Sequence, residues 1–172
     1  DWIALMEDDE EEFVGYNHLE TEVQIAKYRE INFQDQKQYQ LVFNVTPFYP
    51  EGGGQVGDTG VIQNSNETIS IVDTKKENKL IVHYVDVLPS DIMYKFTAKV
   101  NISDRNATSR NHTATHLLHE ALKFVLGKHV VQKGSLVNSS YLRFDFTHFS
   151  KIEKAELQKI ELEVNAKILQ NI

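Results

Sequence analysis

The chain has 172 residues, of which 41% are hydrophobic and 25% are charged, with no cysteine and a formal net charge of −7. A chain of this size forms one domain or two small ones, and its composition is that of a protein with a core. No apolar run reaches the roughly 20 residues that a transmembrane helix needs, and the lack of cysteine excludes disulfides and thiolate metal ligands.

The negative charge is concentrated at one end of the chain. Residues 1–12 contain seven acidic residues and no basic one, which leaves the remainder neutral. The acidic run from Glu7 to Glu12 predicts a solvated turn. Residues 105–151 are net basic and hold five of the seven histidines. A basic face of this kind can contact phosphate, and an ordinary solvated surface is the alternative explanation.

Residues 13–103 predict β structure. The segment 37–46 alternates apolar and polar residues, which is typical of a strand with one buried face. Further strands are predicted at 13–17, 21–31, 59–63, 68–73, 79–86 and 94–102, and turn signals such as Asn64-Ser65-Asn66 and Glu77-Asn78 separate the later ones from one another. The regular spacing of these strands predicts a small antiparallel β-barrel over residues 1–103.

Residues 104–172 predict an α-β-β-α order. Apolar residues recur at helical spacing from Asn111 to Leu126, and Gly127 is a natural helix stop. Two strands are predicted at 129–137 and 140–147, with a hairpin turn at Asn138-Ser139. A final helix at 150–172 carries one apolar stripe, which consists of Leu157, Ile160, Val164 and Ile168. The whole chain is therefore predicted to be α+β, a barrel followed by a two-layer α/β domain.

The first candidate site is the pair His112 and His116 within His-Thr-Ala-Thr-His. Residues four apart lie on one side of a helix, so two imidazoles so placed can bind one Zn²⁺. A zinc protease would carry Glu where Thr113 stands, so the sequence does not favour a zinc protease. His119 lies about two turns from His112, which is too far for all three to share one ion. Two ordinary surface histidines are the alternative.

Two further segments carry candidate chemistry. In Glu51-Gly-Gly-Gly-Gln55 the glycines allow positive φ and a close backbone approach, and no Lys-Ser/Thr follows as it would in a P-loop. A simple loop between strands is the alternative. In Gln132-Lys-Gly-Ser135 the glycine indicates a bulge or a close approach within a strand. Gln132 could hydrogen-bond a substrate, or it could be an ordinary exposed strand residue.

Together these segments resemble the editing region of alanyl-tRNA synthetases. The resemblance runs in order over essentially the whole chain, and it is carried by Asp1–Leu5, Glu12–Tyr16, Thr46–Asp58, Arg110–His119, Gln132–Ser135 and Leu142–Phe146. It implies a β-barrel beside an α/β domain of the kind shared with threonyl-tRNA synthetase. The implied activity is hydrolysis of tRNA(Ala) that carries serine or glycine in place of alanine.

The resemblance also implies site residues. His112 and His116 match zinc ligands, and Gln132 and Thr115 match residues of the hydrolytic pocket, which we take as the catalytic candidates. The glycine-rich loop matches one that leans over this site. Candidate contacts to substrate or RNA are Gly53, Gly54, Gln55, Arg110, Lys133, Ser135 and Arg143.

Members of the family attach alanine to tRNA(Ala) in the cytoplasm and bind its acceptor end. They use ATP and Mg²⁺ in an adenylation domain and oligomerise through C-terminal parts, and no membrane is involved. With no initiator Met and no Gly or Asn C-cap after Ile172, we expect this sequence to be a segment of a longer chain. The resemblance implies that the third and fourth zinc ligands, a Cys-x-x-x-His pair, lie downstream. The segment alone is then expected to retain zinc weakly and to show little deacylation. The alternatives are a non-catalytic tRNA-binding module and a metal-free structural spacer.

Overall fold

The structure, a computed structural model, describes residues 1–7 and 11–170, and in it the chain divides into two compact units. The first unit comprises Asp1–Gly52 and Val56–Arg105, and the second comprises Gly53–Gln55 and Asn106–Ile172. Within the described part of the chain, neither helix has the length and apolarity needed to cross a membrane.

Two antiparallel sheets form the first unit. The strands of the first sheet, in spatial order, are β1 (Ile3–Ala4), β4 (Ile25–Phe33), β5 (Gln36–Phe43), β10 (Leu80–Val85) and β9 (Asp73–Glu77). Those of the second are β3 (Glu20–Val23), β11 (Phe96–Val100), β7 (Gly60–Gln63) and β8 (Thr68–Ile71). A short parallel pair is formed by β2 (Glu12–Phe13) and β6 (Val45–Thr46).

The α+β class is confirmed, but the prediction of a closed barrel is wrong. The strands of the described residues form separate open sheets, which share one core that includes the fully buried side chains Leu41, Phe43, Phe48, Ile62 and Phe96. The chain passes from one sheet to the other at single residues, Gln24 and Val72, where the strand pairing is interrupted. Such interruptions leave the hydrophobic alternation unchanged, so the pattern alone does not separate two packed sheets from a barrel.

One buried ion pair fixes the loop that follows β6. The Arg105 guanidinium donates to both Asp58 carboxylate oxygens, with its Nε 2.9 Å from each. It also donates to the Gly15 carbonyl oxygen at 2.9 Å and to the Pro47 carbonyl oxygen at 3.2 Å. The Asp58 carboxylate accepts the Tyr49 N–H at 2.8 Å as well. Both charges are thus paired and hydrogen-bonded, as buried charges need to be.

A neutral histidine lies in the core of the first unit. His83 is completely buried, with its Nδ1 3.0 Å from the Leu41 carbonyl oxygen and its Nε2 2.7 Å from Thr46 Oγ1. A carbonyl oxygen can only accept, so Nδ1 carries the proton and Nε2 accepts the Thr46 hydroxyl hydrogen. Burial disfavours the charged ring and lowers the pKa of His83 to about 3.

The acidic run departs in part from the predicted solvated turn. Asp8, Asp9 and Glu10 lie outside the described residues. Glu11 is half-buried, and its carboxylate accepts the Ile81 N–H at 2.6 Å. Its other oxygen, Oε1, is buried without a hydrogen-bond partner among the described residues. Desolvation is the main reason that the pKa of Glu11 is raised to about 7, against the opposing effects of the Ile81 hydrogen bond and of the nearby Lys27 charge.

A Glu11→Gln variant is expected to be more stable than the unmodified chain at pH 8, by about 1–2 kcal/mol after allowance for its partial exposure. Between pH 4.5 and about 7 folded Glu11 keeps a proton that the unfolded chain has released, so stability falls as the pH rises. Urea unfolding at pH 5 and pH 8 measures this, with the exposed Glu12→Gln as the matched control. An equal gain in both variants would contradict the role of burial.

The first helix, α1 (Ile102–Leu126), begins nine residues before the predicted start at Asn111. Its start is set by Asn101, whose side-chain oxygen accepts the Asp104 N–H at 3.1 Å while its amide donates to the Asp104 carboxylate at 2.9 Å. This is an N-terminal cap. The first turns of the helix are polar, so apolar periodicity does not reveal them.

The second unit also contains a hairpin and the second helix. The strands β12 (Gln132–Val137) and β13 (Leu142–Phe146) pair antiparallel, which confirms the predicted hairpin, but its connection spans the four residues 138–141 and not Asn138-Ser139 alone. The helix α2 (Lys154–Leu169) begins four residues after the predicted start at 150, and the last two residues of the predicted range, 171 and 172, lie outside the described residues. Its core residues Ile160 and Val164 pack with a cluster from the other elements that includes Ala121, Leu122, Val130, Phe144 and Phe146. Leu157 and Ile168 are 52% and 53% exposed, so the predicted four-residue stripe is only half buried.

Candidate functional site

Two histidines occupy neighbouring turns of α1. The ring centroids of His112 and His116 are 5.1 Å apart, with an angle of 50° between the ring planes. His112 is half-buried, whereas His116 is exposed. The separation follows from the helix, because residues four apart lie one above the other. The two rings can therefore approach one ion from the same side of the helix.

The glycine-rich segment Gly53–Gln55 belongs to the same compact unit as these histidines. The Gly54 carbonyl oxygen accepts the Val137 N–H at 2.8 Å, and Gln55 forms a parallel β-bridge with Val137. Gly54 has φ +83°, and a β-carbon there would lie 2.7 Å from the Ser135 carbonyl oxygen. A glycine is therefore required at this position for both reasons. Gly53, at φ +59°, is exposed with open space around it.

A side-chain hydrogen bond joins this segment to the helix. Gln55 is 9% exposed, and its side-chain oxygen lies 2.9 Å from Nδ1 of His112. The sequence predicts Gln55 as a contact to substrate or RNA. In the structure its side chain faces a histidine of the same unit, a partner that sequence reasoning missed.

The strand β12 starts at Gln132. The Gln132 amide nitrogen donates to Ser135 Oγ at 3.2 Å, and the strand pairing shifts register between Gln132 and Gly134. This irregularity is the bulge that the glycine indicated. Gln132 and Lys133 are exposed, and Ser135 is half-buried against Gly54. The Gln132 side chain is thus accessible, with its carbonyl oxygen available to accept from a ligand.

Thr115 has a different environment from its neighbours on α1. Its side chain is 8% exposed, and its hydroxyl donates to the Asn111 carbonyl oxygen one turn earlier at 2.8 Å. The hydroxyl hydrogen is therefore used within the helix, while the oxygen retains acceptor capacity. Asn111, which sequence reasoning did not single out, donates from its side-chain amide to the Asn138 carbonyl oxygen at 2.8 Å and so ties the helix to the hairpin turn.

The candidate basic residues differ in their surroundings. Arg110 and Lys133 are exposed. Arg143 is exposed as well, but its Nη2 lies 3.1 Å from an Asp145 carboxylate oxygen, so its charge is partly compensated. Among the described residues, direct contacts join Gln132 to Ser135 and Ser135 to Gly54. Gln55 contacts His112, whose ring lies beside that of His116. The other candidates are not part of these contacts, namely Thr115, Arg110, Lys133 and Arg143.

The histidine pair fits part of a zinc site. Zinc in proteins takes at least three protein ligands. No group of three or more His, Cys, Asp or Glu side chains suited to a metal occurs in residues 1–7 and 11–170. His119 does not form such a group with this pair. Its ring packs on Phe144 with 5.0 Å between the centroids, and its buried Nε2 has no hydrogen-bond partner among the described residues. The described residues therefore provide two adjacent imidazoles, which is half of a tetrahedral donor set.

Comparisons with known proteins place the chain in a family. A family model described as tRNA synthetases class II (A) matches residues 3–105, more than half of the chain. The chain therefore belongs to the class II (A) tRNA synthetases.

Its similar curated relatives carry the name alanine–tRNA ligase. The protein from Cytophaga hutchinsonii is 55% identical over 172 residues, which is 100% of this chain and 20% of the relative. The Christiangramia forsetii protein is 53% identical over 174 residues, with the same two coverages, and the Porphyromonas gingivalis protein is 47% identical over 98% of this chain and 19% of its own length. The chain thus spans about a fifth of the length of the curated relatives it matches.

Proposed function

We propose that this chain is part of an alanine–tRNA ligase and that its second unit contributes to the proofreading site that hydrolyses Ser-tRNA(Ala) and Gly-tRNA(Ala). The observation that carries the proposal is the His112–His116 pair with Gln55 against His112. Similarity to alanine–tRNA ligases over the whole chain supports it. The full-length protein would attach alanine to tRNA(Ala) in the cytoplasm, with ATP and Mg²⁺ bound in another domain.

Selection against glycine and serine calls for a second site. Glycine fits any pocket that accepts alanine, and one methylene group changes binding by only about 1–3 kcal/mol. A pocket that accepts alanine also rejects an added hydroxyl poorly. Hydrolysis of the wrong ester at a separate site is the physical remedy.

The residues of the second unit would divide this work. His112 and His116 would hold zinc together with ligands outside the described residues. The chemistry that zinc supplies when bound is Lewis-acid polarisation of the ester carbonyl or of an attacking water. Gln132, with a free carbonyl oxygen at an accessible strand end, would orient the aminoacyl group. Thr115, whose hydroxyl hydrogen is already donated to Asn111, would act only as an acceptor in the pocket.

The acceptor end of tRNA(Ala) would meet the exposed basic residues. Arg110 and Lys133 are exposed and are the stronger candidates, because Arg143 already pairs with Asp145. Phosphate contacts release counterions, so this part of the binding would weaken as salt rises.

His116→Ala in the full-length protein is expected to slow the deacylation of Ser-tRNA(Ala) by at least about 100-fold, since loss of outer-shell partners alone costs 10- to 100-fold at metal sites. Aminoacylation with alanine should be unchanged, because it takes place in another domain. The matched control is His18→Ala, an exposed histidine of the first unit.

Unchanged hydrolysis in His116→Ala would refute the assigned role. Loss of tRNA binding in this variant, together with zinc-independent binding in the unmodified protein, would instead favour the non-catalytic RNA-binding module.

A further inference from the structure

We infer that Gln55 is a positioning residue for the metal site: its side-chain oxygen holds His112 in the tautomer that presents Nε2 to zinc. The inference rests on the proposed function in that it takes His112 as a zinc ligand. The role of the glycine-rich segment is then to orient a metal ligand and not to contact RNA.

The chemistry of the two partners sets the tautomer. The Gln55 oxygen can only accept a hydrogen bond, so the facing Nδ1 of His112, 2.9 Å away, carries the proton. In a neutral imidazole the lone pair then resides on Nε2, which is the atom free to bind a metal. Metal-binding histidines commonly donate their second N–H to an oxygen in this way, which fixes the ring and raises the basicity of the coordinating nitrogen.

Gln55 itself is held from several sides. The residue is 9% exposed, its backbone is bridged to Val137, and the preceding Gly54 carbonyl oxygen accepts the Val137 N–H at 2.8 Å. Gly54 packs closely against Ser135, where a side chain would not fit. An amide fixed by its backbone in this way loses little entropy when it orients a ring, unlike a long side chain on the surface.

His116 offers an internal comparison. It is exposed, and no hydrogen bond joins its ring to any of the described residues. Its tautomer is therefore set by solvent, whereas that of His112 is set by Gln55. The two ligands of one helix should thus differ in a measurable property before any metal binds.

The test is made on the 172-residue chain with ¹⁵N-labelled histidine. NMR of the metal-free protein at a pH where the histidines are neutral should show His112 with a protonated Nδ1 and an unprotonated Nε2. In Gln55→Leu the His112 ring should become a mixture of tautomers, while Gln55→Glu, which keeps an acceptor oxygen, should retain the Nδ1–H form. Gln158→Leu, which removes an exposed amide of α2 in the same unit and outside the candidate site, is the matched control.

Titration with Zn²⁺, followed through the His112 resonances, provides the second readout. The dissociation constant should rise about 10- to 100-fold in Gln55→Leu, and it should not rise in Gln55→Glu or in Gln158→Leu. Amide dispersion in the same spectra reports whether a variant is folded.

An Nε2–H tautomer of His112 in the unmodified chain would overturn the inference without any variant. Unchanged tautomer and zinc affinity in Gln55→Leu would overturn it as well. Both readouts are independent of deacylation. The expected tautomer together with unchanged deacylation in His116→Ala would refute the proposed function and leave the positioning role in place.

Discussion

Replacing Arg105 with methionine is expected to lower the free energy of unfolding by about 3–5 kcal/mol. The Asp58 side chain is 7% exposed and that of Arg105 is 14% exposed, so water does not readily take the place of the guanidinium. The Asp58 carboxylate would remain buried without a compensating charge, and the Gly15 and Pro47 carbonyl oxygens would lose a donor. Urea unfolding at pH 7, followed by circular dichroism, measures the loss.

An exposed ion pair in the same chain is the control. Arg143 and Asp145 have side chains 60% and 46% exposed, and Arg143→Met should cost less than about 1 kcal/mol. The double variant Arg105→Met with Asp58→Asn should recover part of the loss, because it leaves no charge buried alone. Equal decreases in the free energy of unfolding for Arg105→Met and Arg143→Met would show that burial does not increase the contribution of the Arg105–Asp58 pair to stability.

His83→Asn is expected to destabilise the chain by about 2–4 kcal/mol at pH 7 and by progressively less at lower pH. Asparagine can still donate to the Leu41 carbonyl oxygen, but it leaves Thr46 Oγ1 without its acceptor and creates a cavity beside Phe43 and Phe48. The loss at pH 7 combines these two costs.

The change with pH comes from the titration of His83. Its folded pKa of about 3 lies below the ordinary value of 6.5, so in this interval the unfolded chain binds one proton more than the folded chain. The free energy of unfolding of the unmodified chain therefore falls by about 1.4 kcal/mol per pH unit as the pH falls below 6.5. A variant with no imidazole at position 83 does not show this fall. Glu11 titrates in the opposite direction in both proteins and cancels in their difference.

The measurement is the difference in unfolding free energy between the two proteins from pH 7 to pH 4. The difference should shrink steadily over this range, whereas the difference for Asn17→Ala, a control at an exposed residue that does not titrate, should stay constant. A constant difference for His83→Asn would mean that folded His83 accepts a proton in the core.

Local signals predicted much of the secondary structure. Strands such as β5 alternate in hydrophobicity, and the turn at Glu77-Asn78 is confirmed with Asn78 at φ +56°. The strand β9 was not predicted, because Asp73–Glu77 is almost entirely polar and buries only Thr74. Its strand geometry comes from pairing with β10, a tertiary cause that its own residues do not encode.

The site was predictable to the extent that it is local. The spacing of His112 and His116 lies within one helix, so sequence alone places the two rings together. The glycines indicated a close approach, yet they did not identify Ser135 as the surface approached. Arg105 and Asp58 stand 47 positions apart, and nothing in the pattern of either segment selects the other.

The hydrogen bond between Gln55 and His112 joins residues 57 positions apart, so the second unit is discontinuous along the chain. A shortened protein that starts at Asn106 would lack a piece of its own fold, because Val137 would lose the partner of its N–H and Ser135 would lose the backbone that covers it. During synthesis Gly53–Gln55 leaves the ribosome well before the hairpin against which it packs. The smallest separately expressible form of this unit must therefore begin at or before Gly53. A continuous chain from that point also contains Val56–Arg105 of the first unit.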